Sequence, residues 1–455
     1  MFVQRFKSEG LSHISYFIGQ GAEAAVVDPS RDIDAYLDLA QRTERSIRTV
    51  LETHRNEDYV SGSQELASAT GAKVYHGGQI PFRFGNEIKD GQELNVGNLR
   101  IKAVHTPGHT DESFSYALYD PTSGDHPVML FCGDALFVGE VGRTDFYGKE
   151  HRERLANALY HSLHERIVPL GDSTIICPAH GSGSVCGTSI GEREDSTIGM
   201  ERLTNPALRM SREEFIASKL AEDMEIAPLM RRMEKSNLEG PKVLVHLPTP
   251  KPLSAKEMKH AIAKGCYLLD ARQPYSFAGA HIPGAINLWL ESIPLYAGFI
   301  VPPDRQIVTV VDTPGHLDRL VRYLVRLGYD ELVGYLRVGM DLWAKQGMEI
   351  ATMRGITAKE LNARQKAGED LVLIDVRDAR ERHIGTIPGS KQIHLGQLAS
   401  RMDEIPKKKP LVTFCGGGYR GSTAGSMLLR HGYPEVYNLQ GGFAAWSAGG
   451  FPVER

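Results

Sequence analysis

A single cysteine, Cys415, stands in a setting that could stabilise a reactive sulfur. In the stretch FCGGGYRGS it ends an apolar run and is followed by three glycines, by Arg420 and by the helical stretch STAGSMLLRHG. Glycines permit a tight loop whose backbone N–H groups turn inward, and a helix N-terminus and an arginine add positive potential. A lone cysteine is more often a packed core residue. Here the glycines, the arginine and the helix start together favour a loop that holds a thiolate or a persulfide.

A second stretch, THRNEDYVSG at 53–62, looks like a metal-binding motif from which two ligands are missing. It belongs to a first block of the chain in which short apolar runs end in His or Asp. Because side chains at strand ends lie on the loops that follow, layered α/β proteins build sites from them on a rigid scaffold. We therefore predict strands within these runs, with a site at one edge: AAVVD at 24–28, RTVLETH at 48–54, RIKAVHTPGHT at 100–110, VMLFCGDAL at 128–136 and TIICPAH at 174–180.

The bulk composition excludes several classes of protein. A length of 455 residues suggests about three domains. The net charge is only −4, which favours neither a nucleic-acid nor a membrane partner and leaves small molecules. The N-terminus lacks a signal-peptide pattern and no stretch approaches ~18 consecutive apolar residues, so we expect a soluble, cytoplasmic protein.

The cysteines have no paired spacing, which argues for reduced thiols rather than disulfides: Cys132, Cys177, Cys186, Cys266 and Cys415. Of these, Cys132 and Cys177 alternate with apolar residues and are expected in the core.

The second half of the chain is an internal repeat. LLDARQPYSFAGAHIPGAINL at 268–288 matches LIDVRDARERHIGTIPGSKQIHL at 373–395, and the match continues through two further strand and helix patterns. Counting back seventeen residues from the Gly-Tyr pair of each copy places Val311 where the other copy has Cys415. Valine cannot carry sulfur. The first copy is therefore expected to have a structural role or to form an interface, such as that of a homo-oligomer.

The domain boundaries follow from the repeat and from the segment before it. The stretch at 211–240 predicts a helix that opens with a capping box from Ser211 to Glu214 and closes the first domain. The Pro-rich segment PTPKPLS at 248–254 then predicts a stiff linker. We expect three domains, at residues 1–245, 246–352 and 353–455.

The region around Cys415 resembles a rhodanese domain over its full length. Four residues lie between Cys415 and Arg420, whereas Cys-based phosphatases have five, and DVR at 375–377, IPG at 387–389 and the terminal LQGGFAAWSAGGFPV agree with the rhodanese pattern. The resemblance implies that Cys415 accepts a sulfane sulfur as a persulfide and that Arg420 helps to hold an anionic donor or acceptor. It also implies that Asp375 and Arg377 organise the loop from behind, and that the sulfur-binding loop consists of Gly416, Gly417, Gly418, Tyr419 and Gly421.

The first block resembles the metallo-β-lactamase superfamily in the order and spacing of THRNEDYVSG, TPGHT, FCGDALF and CPAHGSG. The first motif of that family is usually His-x-His-x-Asp-His, and this chain has Asn56 and Tyr59 at two of its histidine positions. The resemblance implies that His54, His109 and Asp134 remain as ligands of one ion. Two imidazoles and one carboxylate with open positions are the facial triad of non-haem Fe(II) oxygen chemistry, and zinc prefers the missing imidazoles. We therefore expect one Fe(II) per chain.

Neighbouring residues are candidates for holding the ligands or the substrate: Asp58, Tyr59, Arg143, His180 and Cys186. His180 is a ligand in two-metal members of the superfamily and, with one iron, is expected to stand beside the site. Asn56, Asp58 or Tyr59 is expected to orient a ligand or substrate by a hydrogen bond, although Tyr59 as mere packing is an equal alternative.

Two of these candidates carry open alternatives. Arg143 could bind the thiol part of the substrate or could brace its loop by pairing with Asp145. Cys186 lies in a Gly/Ser-rich loop that could reach a substrate channel, where the thiol could become persulfidated.

LFVGEVGRTDF at 136–146 and PAHGSGSVCG at 178–187 resemble the persulfide dioxygenases, a mononuclear-iron branch of the superfamily with rhodanese-fused members. The resemblance implies an αββα sandwich followed by two α/β rhodanese-like domains, each a parallel sheet with helices on both faces. It also implies an enzyme of sulfide detoxification that converts a thiol persulfide, O₂ and water to thiol and sulfite, and that makes or uses thiosulfate at Cys415. The carrier thiol stays open among glutathione, coenzyme A, bacillithiol and cysteine.

Two alternatives belong to other functional classes. A glyoxalase II-like thioester hydrolase would need two metal ions. A non-catalytic sulfur-relay or sensor protein would bind no iron and consume no oxygen.

Overall fold

The computed structural model describes residues 1–184, 186–187, 189–222 and 226–455. They form two units, one of residues 1–247 and 325–328 and one of residues 248–324 and 329–455. Within the described part of the chain, no helix is both long and apolar enough to cross a membrane.

The described residues of the first unit form two six-stranded sheets. The first sheet is antiparallel up to its third strand and parallel beyond, and its strands lie in chain order: β1 (Phe2–Ser8), β2 (His13–Gln20), β3 (Glu23–Val27), β4 (Ser46–Leu51), β5 (Lys73–Gly77) and β6 (Asn86–Ile88). The second sheet also follows chain order and is parallel only between its fourth and fifth strands: β7 (Glu93–Val96), β8 (Leu99–His105), β9 (Phe114–Tyr119), β10 (Met129–Gly133), β11 (Ile175–Pro178) and β12 (Ser196–Thr197). The five apolar runs correspond to β3, β4, β8, β10 and β11, so the prediction of strands there is confirmed.

The helices of this part of the chain are α1 (Asp34–Arg42), α2 (Ser63–Thr70), α3 (Arg152–His161), α4 (Ile198–Thr204), α5 (Pro206–Arg209), α6 (Arg212–Ala221) and α7 (Pro228–Glu239). The capping box from Ser211 to Glu214 is present at the start of α6. The prediction of one helix across 211–240 is wrong. Helix α6 ends before the extended Glu222, and α7 begins at Pro228, because proline cannot donate the backbone hydrogen bond of a helix interior. Residues 223–225 lie outside the described residues.

Alternating side chains of the two sheets form the core between them. Ile14, Tyr16 and Ile18 from β2 meet Phe114 and Tyr116 from β9 in one buried cluster. The outer face of the first sheet packs against α1 and α2, and that of the second against α3. This is the predicted αββα sandwich. As predicted, Cys132 and Cys177 are buried in it.

Two parallel five-stranded sheets form the second half of the chain. The strands of the first are β13 (Lys251–Leu253), β14 (Tyr267–Asp270), β15 (Ile286–Asn287), β16 (Ile307–Val310) and β17 (Leu332–Leu336), in the order β13-β17-β16-β14-β15. The strands of the second are β18 (Arg354–Ile356), β19 (Val372–Asp375), β20 (Lys391–Gln392), β21 (Leu411–Phe414) and β22 (Val436–Leu439), in the order β18-β22-β21-β19-β20. The two orders are the same, so the sequence repeat is a repeat of fold.

The helices of the repeat are α8 (Ala255–Ala263), α9 (Pro274–Gly279), α10 (Ile293–Ile300), α11 (His316–Arg326) and α12 (Met340–Lys345) in the first copy, and α13 (Ala358–Lys366), α14 (Ala379–Ile384), α15 (Tyr419–Arg430) and α16 (Gly442–Ala448) in the second. Val311 directly follows β16, and Cys415 directly follows β21. The two residues therefore hold the same place in the two copies. The predicted boundaries at 245 and 352 fall between α7 and β13 and between α12 and β18, and they stay a prediction.

Candidate active sites

Three side chains from separate strand ends meet inside the first unit. His54 follows β4, His109 follows β8 and Asp134 follows β10, and one nitrogen or oxygen atom of each lies within 4.8 Å of the others. Asp134 Oδ2 is 3.8 Å from His54 Nε2 and 3.4 Å from His109 Nε2. All three residues are buried. The fold therefore brings together the three residues that the sequence proposed as ligands.

The unused nitrogen of each imidazole fixes the direction of its ring. His109 Nδ1 lies 2.9 Å from the backbone oxygen of Arg143, and since a carbonyl only accepts, Nδ1 carries the proton. His54 Nδ1 lies 2.9 Å from Thr53 Oγ1, which donates to Asp28 Oδ2 at 2.7 Å and so accepts from the ring. In both rings Nε2 is left with its lone pair toward the other two residues, as a metal ligand requires.

His180 stands beside this group and holds its carboxylate. His180 Nδ1 donates to Asp134 Oδ1 at 2.7 Å, which leaves Oδ2 directed at the two imidazoles. The other nitrogen, Nε2, is 3.0 Å from Asp58 Oδ2. Burial opposes the charged form, but the carboxylates of Asp134 and Asp58 raise the pKa of His180 well above its ordinary value. These contacts fit an orienting role for His180.

The three donor atoms fit a divalent metal ion. His54 Nε2, His109 Nε2 and Asp134 Oδ2 are buried, and none has a hydrogen-bond partner among the described residues. Burying polar atoms without partners is costly unless something binds them. Ligands at about 2.1 Å from a shared ion lie roughly 3.0 to 3.5 Å from one another, close to the separations found here.

Glycine allows one neighbouring loop to approach this group. A Cβ atom at Gly142 would lie 2.0 Å from the backbone oxygen of Asp134 and 3.1 Å from His109 Nδ1. No larger residue fits there, which gives a physical reason for the glycine of GRTDF. Arg143, the next residue, is 1% exposed and binds Asp145 through two nitrogens, at 2.6 and 2.8 Å. Of its two proposed roles, the structure supports bracing.

The residues that replace the missing histidines turn away from the three donors. Asn56 Nδ2 donates to Glu52 Oε2 at 3.3 Å and to the backbone oxygen of His54 at 3.2 Å. The ring of Tyr59 lies against that of His13, with centroids 4.0 Å apart and an angle of 35° between the rings, and its hydroxyl has no hydrogen-bond partner among the described residues. Asn56 therefore supports the backbone of a candidate ligand, and the ring of Tyr59 contacts the ring of His13.

The sequence interpretation missed Glu57. This carboxylate is fully buried, with Oε2 3.4 Å from His109 Nε2 and 3.7 Å from His54 Nε2. Burial opposes ionisation, yet the imidazoles of His109 and His54 lower the pKa of Glu57 to about 2. The one available signal was its place in the motif, between two candidate residues.

Cys186 is buried beside the same group. Its sulfur and one atom each of Asp58 and His180 lie within 4.8 Å of one another. Burial, followed by the charge of Asp58, raises the pKa of the Cys186 thiol well above its ordinary value. The structure thus places Cys186 next to His180, in the buried interior.

The second candidate site is the loop after β21. Cys415 is 1% exposed, and the backbone N–H of Gly418 donates to its sulfur at 3.1 Å. Gly418 has a φ of +96°, which favours glycine, and it leads directly into α15. Behind the loop, Phe443 N donates to the Cys415 backbone oxygen at 2.7 Å. The thiol therefore lies in a loop with an inward N–H group at a helix N-terminus, as the sequence predicted.

The charged residues near Cys415 are held in place by ion pairs. Arg420 binds Glu381 through two nitrogens, at 2.6 and 2.7 Å. Arg377 binds Asp375 at 2.9 and 2.7 Å and also donates to the backbone oxygen of Gly385 at 2.8 Å. The Asp375–Arg377 pair thus ties together the segment after β19. A Cβ atom at Gly421, the last predicted loop residue, would lie 2.5 Å from the side-chain oxygen of Asn438 and 3.3 Å from the backbone of β21.

The first copy contributes side chains to the surroundings of this loop. Trp289 stacks on Tyr419 with ring centroids 4.3 Å apart, and the Arg420 guanidinium lies 6.0 Å from the ring of Tyr296. A cavity of about 120 Å³ is lined by Tyr275 from the first copy and by Gly417, Gly418 and Tyr419 from the second. Val311, at the position of Cys415, is packed in the core.

Comparisons with known proteins agree with both halves of the chain. Residues 9–180 match the metallo-beta-lactamase superfamily, and residues 254–346 and 357–449 match the rhodanese-like domain. Persulfide dioxygenase ETHE1 of Bos taurus is 30% identical over 227 residues, which are 47% of this chain and 78% of the relative. A sulfurtransferase of Allochromatium vinosum is 37% identical over 98 residues, which are 22% of this chain and 92% of the relative.

A solved structure covers much of the chain. The crystal structure of a metallo-beta-lactamase from Staphylococcus aureus has a TM-score of 0.67 at 29% identity, over 74% of this chain and 99% of that one. Fold and sites together define a metallo-β-lactamase-type metal-binding domain joined to two rhodanese-like domains. The chain belongs to the persulfide dioxygenase family, and it is an enzyme of sulfur metabolism. The predicted family, fold class and enzymatic nature are confirmed.

Proposed function

We propose that this enzyme oxidises the persulfide of a low-molecular-weight thiol at a single iron, and that Cys415 exchanges sulfane sulfur with thiosulfate. The two activities together would remove persulfide in sulfide detoxification. One observation carries the proposal: the buried donor atoms of His54, His109 and Asp134, which have no hydrogen-bond partners among the described residues. Two imidazoles and one carboxylate are the donor set of non-haem iron oxygenases.

The overall reaction in the first unit would be R–S–SH + O₂ + H₂O → R–SH + sulfite + 2 H⁺. Iron bound by His54, His109 and Asp134 would supply the redox chemistry with dioxygen that side chains lack. The protein's part is to hold those donors rigidly, through the Arg143 backbone oxygen and through His180. A buried site also excludes water from a reactive sulfur species.

A cavity beside His180 is the candidate path for the persulfide. It has a volume of about 180 Å³ and is lined by His180, Pro178 and Ile190, with Arg5 and Lys7 among its charged residues. Since His180 binds Asp134, a substrate in this cavity would lie one side chain away from the donor group.

The Cys415 thiolate would attack the outer sulfur of thiosulfate. The S–S bond of thiosulfate breaks, a new S–S bond forms on Cys415, and sulfite leaves with the electron pair. The Gly418 N–H group and the N-terminus of α15 would stabilise the negative sulfur, and Arg420 the anion. In the reverse direction, sulfite from the dioxygenase reaction takes the sulfur from the Cys415 persulfide as thiosulfate.

One observation favours the binuclear hydrolase instead. Asp58, His180 and Cys186 form a second group of possible metal ligands whose atoms lie within 4.8 Å of one another. Against it, His180 already donates to Asp134 through Nδ1, and each ion has lost one histidine of the family motif, at Asn56 and at Tyr59. A count of bound ions separates the two functions.

The test is metal analysis of anaerobically purified protein, followed by oxygen uptake with glutathione persulfide or coenzyme A persulfide. One iron per chain with persulfide-dependent uptake and sulfite release is the expected result. Two zinc ions with thioester hydrolysis, or no metal and no uptake, would refute the proposal.

A further inference from the structure

A second carboxylate faces the two imidazoles that Asp134 faces. Glu57 Oε2 and Asp134 Oδ2 are each 3.4 Å from His109 Nε2, and they are 3.7 and 3.8 Å from His54 Nε2. The Glu57 carboxylate therefore lies as close to the two histidines as the carboxylate of the proposed ligand Asp134 does. Both of its oxygens are buried and have no hydrogen-bond partner among the described residues.

The backbone at Asn56 accounts for this placement. Asn56 has a φ of +45°, a left-handed conformation that asparagine tolerates better than most residues. Its amide is fastened to Glu52 and to the His54 backbone oxygen, outside the donor group. The next side chain, Glu57, is then directed inward. The carboxylate at 57 therefore faces the two imidazoles.

We propose that Glu57 is a fourth protein ligand of the metal ion in this site. The inference rests on the proposed metal site of His54, His109 and Asp134, and it extends the ligand set to two imidazoles and two carboxylates. Such a set is harder than a facial triad and favours ferrous iron or manganese over zinc. It also leaves fewer coordination positions open for substrate.

A different role would account for the same contacts. Glu57 could act only as the counter-ion of a protonated His109 in the metal-free protein. A counter-ion would be displaced when a metal ion takes the His109 lone pair, so removing it would not weaken metal binding. Metal affinity therefore distinguishes a ligand from a counter-ion.

The experiment compares full-length wild type with Glu57→Gln, Glu57→Asp and the matched control Glu112→Gln. Glu112 is also fully buried, but its oxygens accept from the Arg55 backbone N–H and from the Tyr147 hydroxyl, both at 3.2 Å. The control thus makes the same substitution at a buried carboxylate that already has hydrogen-bond partners. Metal-free proteins are titrated with Fe(II) and with Co(II) against a competing chelator, and the Co(II) absorption spectrum and the metal-induced rise in Tm are recorded.

We expect Glu57→Gln to weaken metal binding by about 10- to 100-fold or more, and to change the Co(II) spectrum. Glu57→Asp should recover part of the affinity, and Glu112→Gln should bind as wild type does. Retained sulfurtransferase activity and circular dichroism show that the variants are folded. Unchanged affinity in Glu57→Gln, or an equal loss in Glu112→Gln, would overturn the proposal.

The test is separate from that of the proposed function because it needs no turnover. A wild type that binds Co(II) through Glu57 but consumes no oxygen with persulfide would refute the dioxygenase and uphold the ligand. If the wild type shows persulfide-dependent oxygen uptake but Glu57→Gln binds metal as tightly as the wild type, the dioxygenase is upheld and the fourth ligand is refuted.

Discussion

Trp289 lies flat against Tyr419, with ring centroids 4.3 Å apart and an angle of 21° between the rings. Trp289 belongs to the copy of the repeat that has Val311 in place of a nucleophile, and Tyr419 follows the glycines after Cys415. The copy without a thiol at the nucleophile position thus supplies part of the wall around Cys415 of the other copy. The first copy therefore has a structural role beside the Cys415 loop, and this role requires no catalytic residue in that copy.

Trp289→Ala should impair sulfur transfer at Cys415 and spare the first unit. Stacked aromatic pairs contribute about 0.5 to 1.5 kcal/mol beyond their buried area, so the loop would be held less firmly. We expect a raised KM for thiosulfate in a sulfurtransferase assay, with oxygen uptake on persulfide unchanged. Wild-type kinetics for sulfur transfer would show that the stacking has no part in the site.

His54→Ala and Asp134→Ala should each abolish metal binding and oxygen uptake. Each change removes one donor atom from the proposed ligand set, and the donor atoms that remain cannot hold the ion as tightly. Metal analysis after anaerobic reconstitution measures the loss, and thiosulfate sulfurtransfer by the same samples should stay at the wild-type level. Either variant retaining one ion per chain would remove its residue from the ligand set.

Cys415→Ser should have the opposite effect. A serine hydroxyl cannot form a persulfide, so sulfur transfer should fall to background while persulfide-dependent oxygen uptake persists. Mass spectrometry after incubation with thiosulfate should find one added sulfur atom on wild type and none on the variant. Cys266→Ser is the matched control, because Cys266 is partly exposed and lies just before β14, and it should behave as wild type.

Arg143→Gln should destabilise the first unit. Among the described residues, it leaves the buried carboxylate of Asp145 with the longer contact to Arg152 at 3.4 Å. Breaking a buried ion pair from one side costs about 3 to 5 kcal/mol, and Asp145→Asn in the same chain should restore part of it. Denaturant unfolding, monitored by metal release, measures the loss of stability in Arg143→Gln and its recovery in the double variant. A double variant no more stable than Arg143→Gln would show that the pair is not the source of the loss.

Much of the fold was accessible from sequence because its signals are local. The apolar runs predicted strands β3, β4, β8, β10 and β11, and the Ser211–Glu214 capping box predicted the start of α6. The sequence repeat corresponds to two sheets with the same strand order. The prediction of one helix across 211–240 was wrong because the polar and apolar pattern continues past Pro228. A continuous helix cannot do so without losing a backbone hydrogen bond at the proline.

The sequence by itself determined which residue types end the strands, that Cys415 has a glycine loop, and that Val311 replaces it in the other copy. It could do so because strand patterns, turn residues and repeats are written along the chain. Only the tertiary structure decided that Glu57 faces His54 and His109, since one left-handed backbone angle at Asn56 sets that direction. It also decided that Trp289 reaches Tyr419, a contact across 130 residues of chain. Such contacts depend on packing between elements, and no local pattern encodes them.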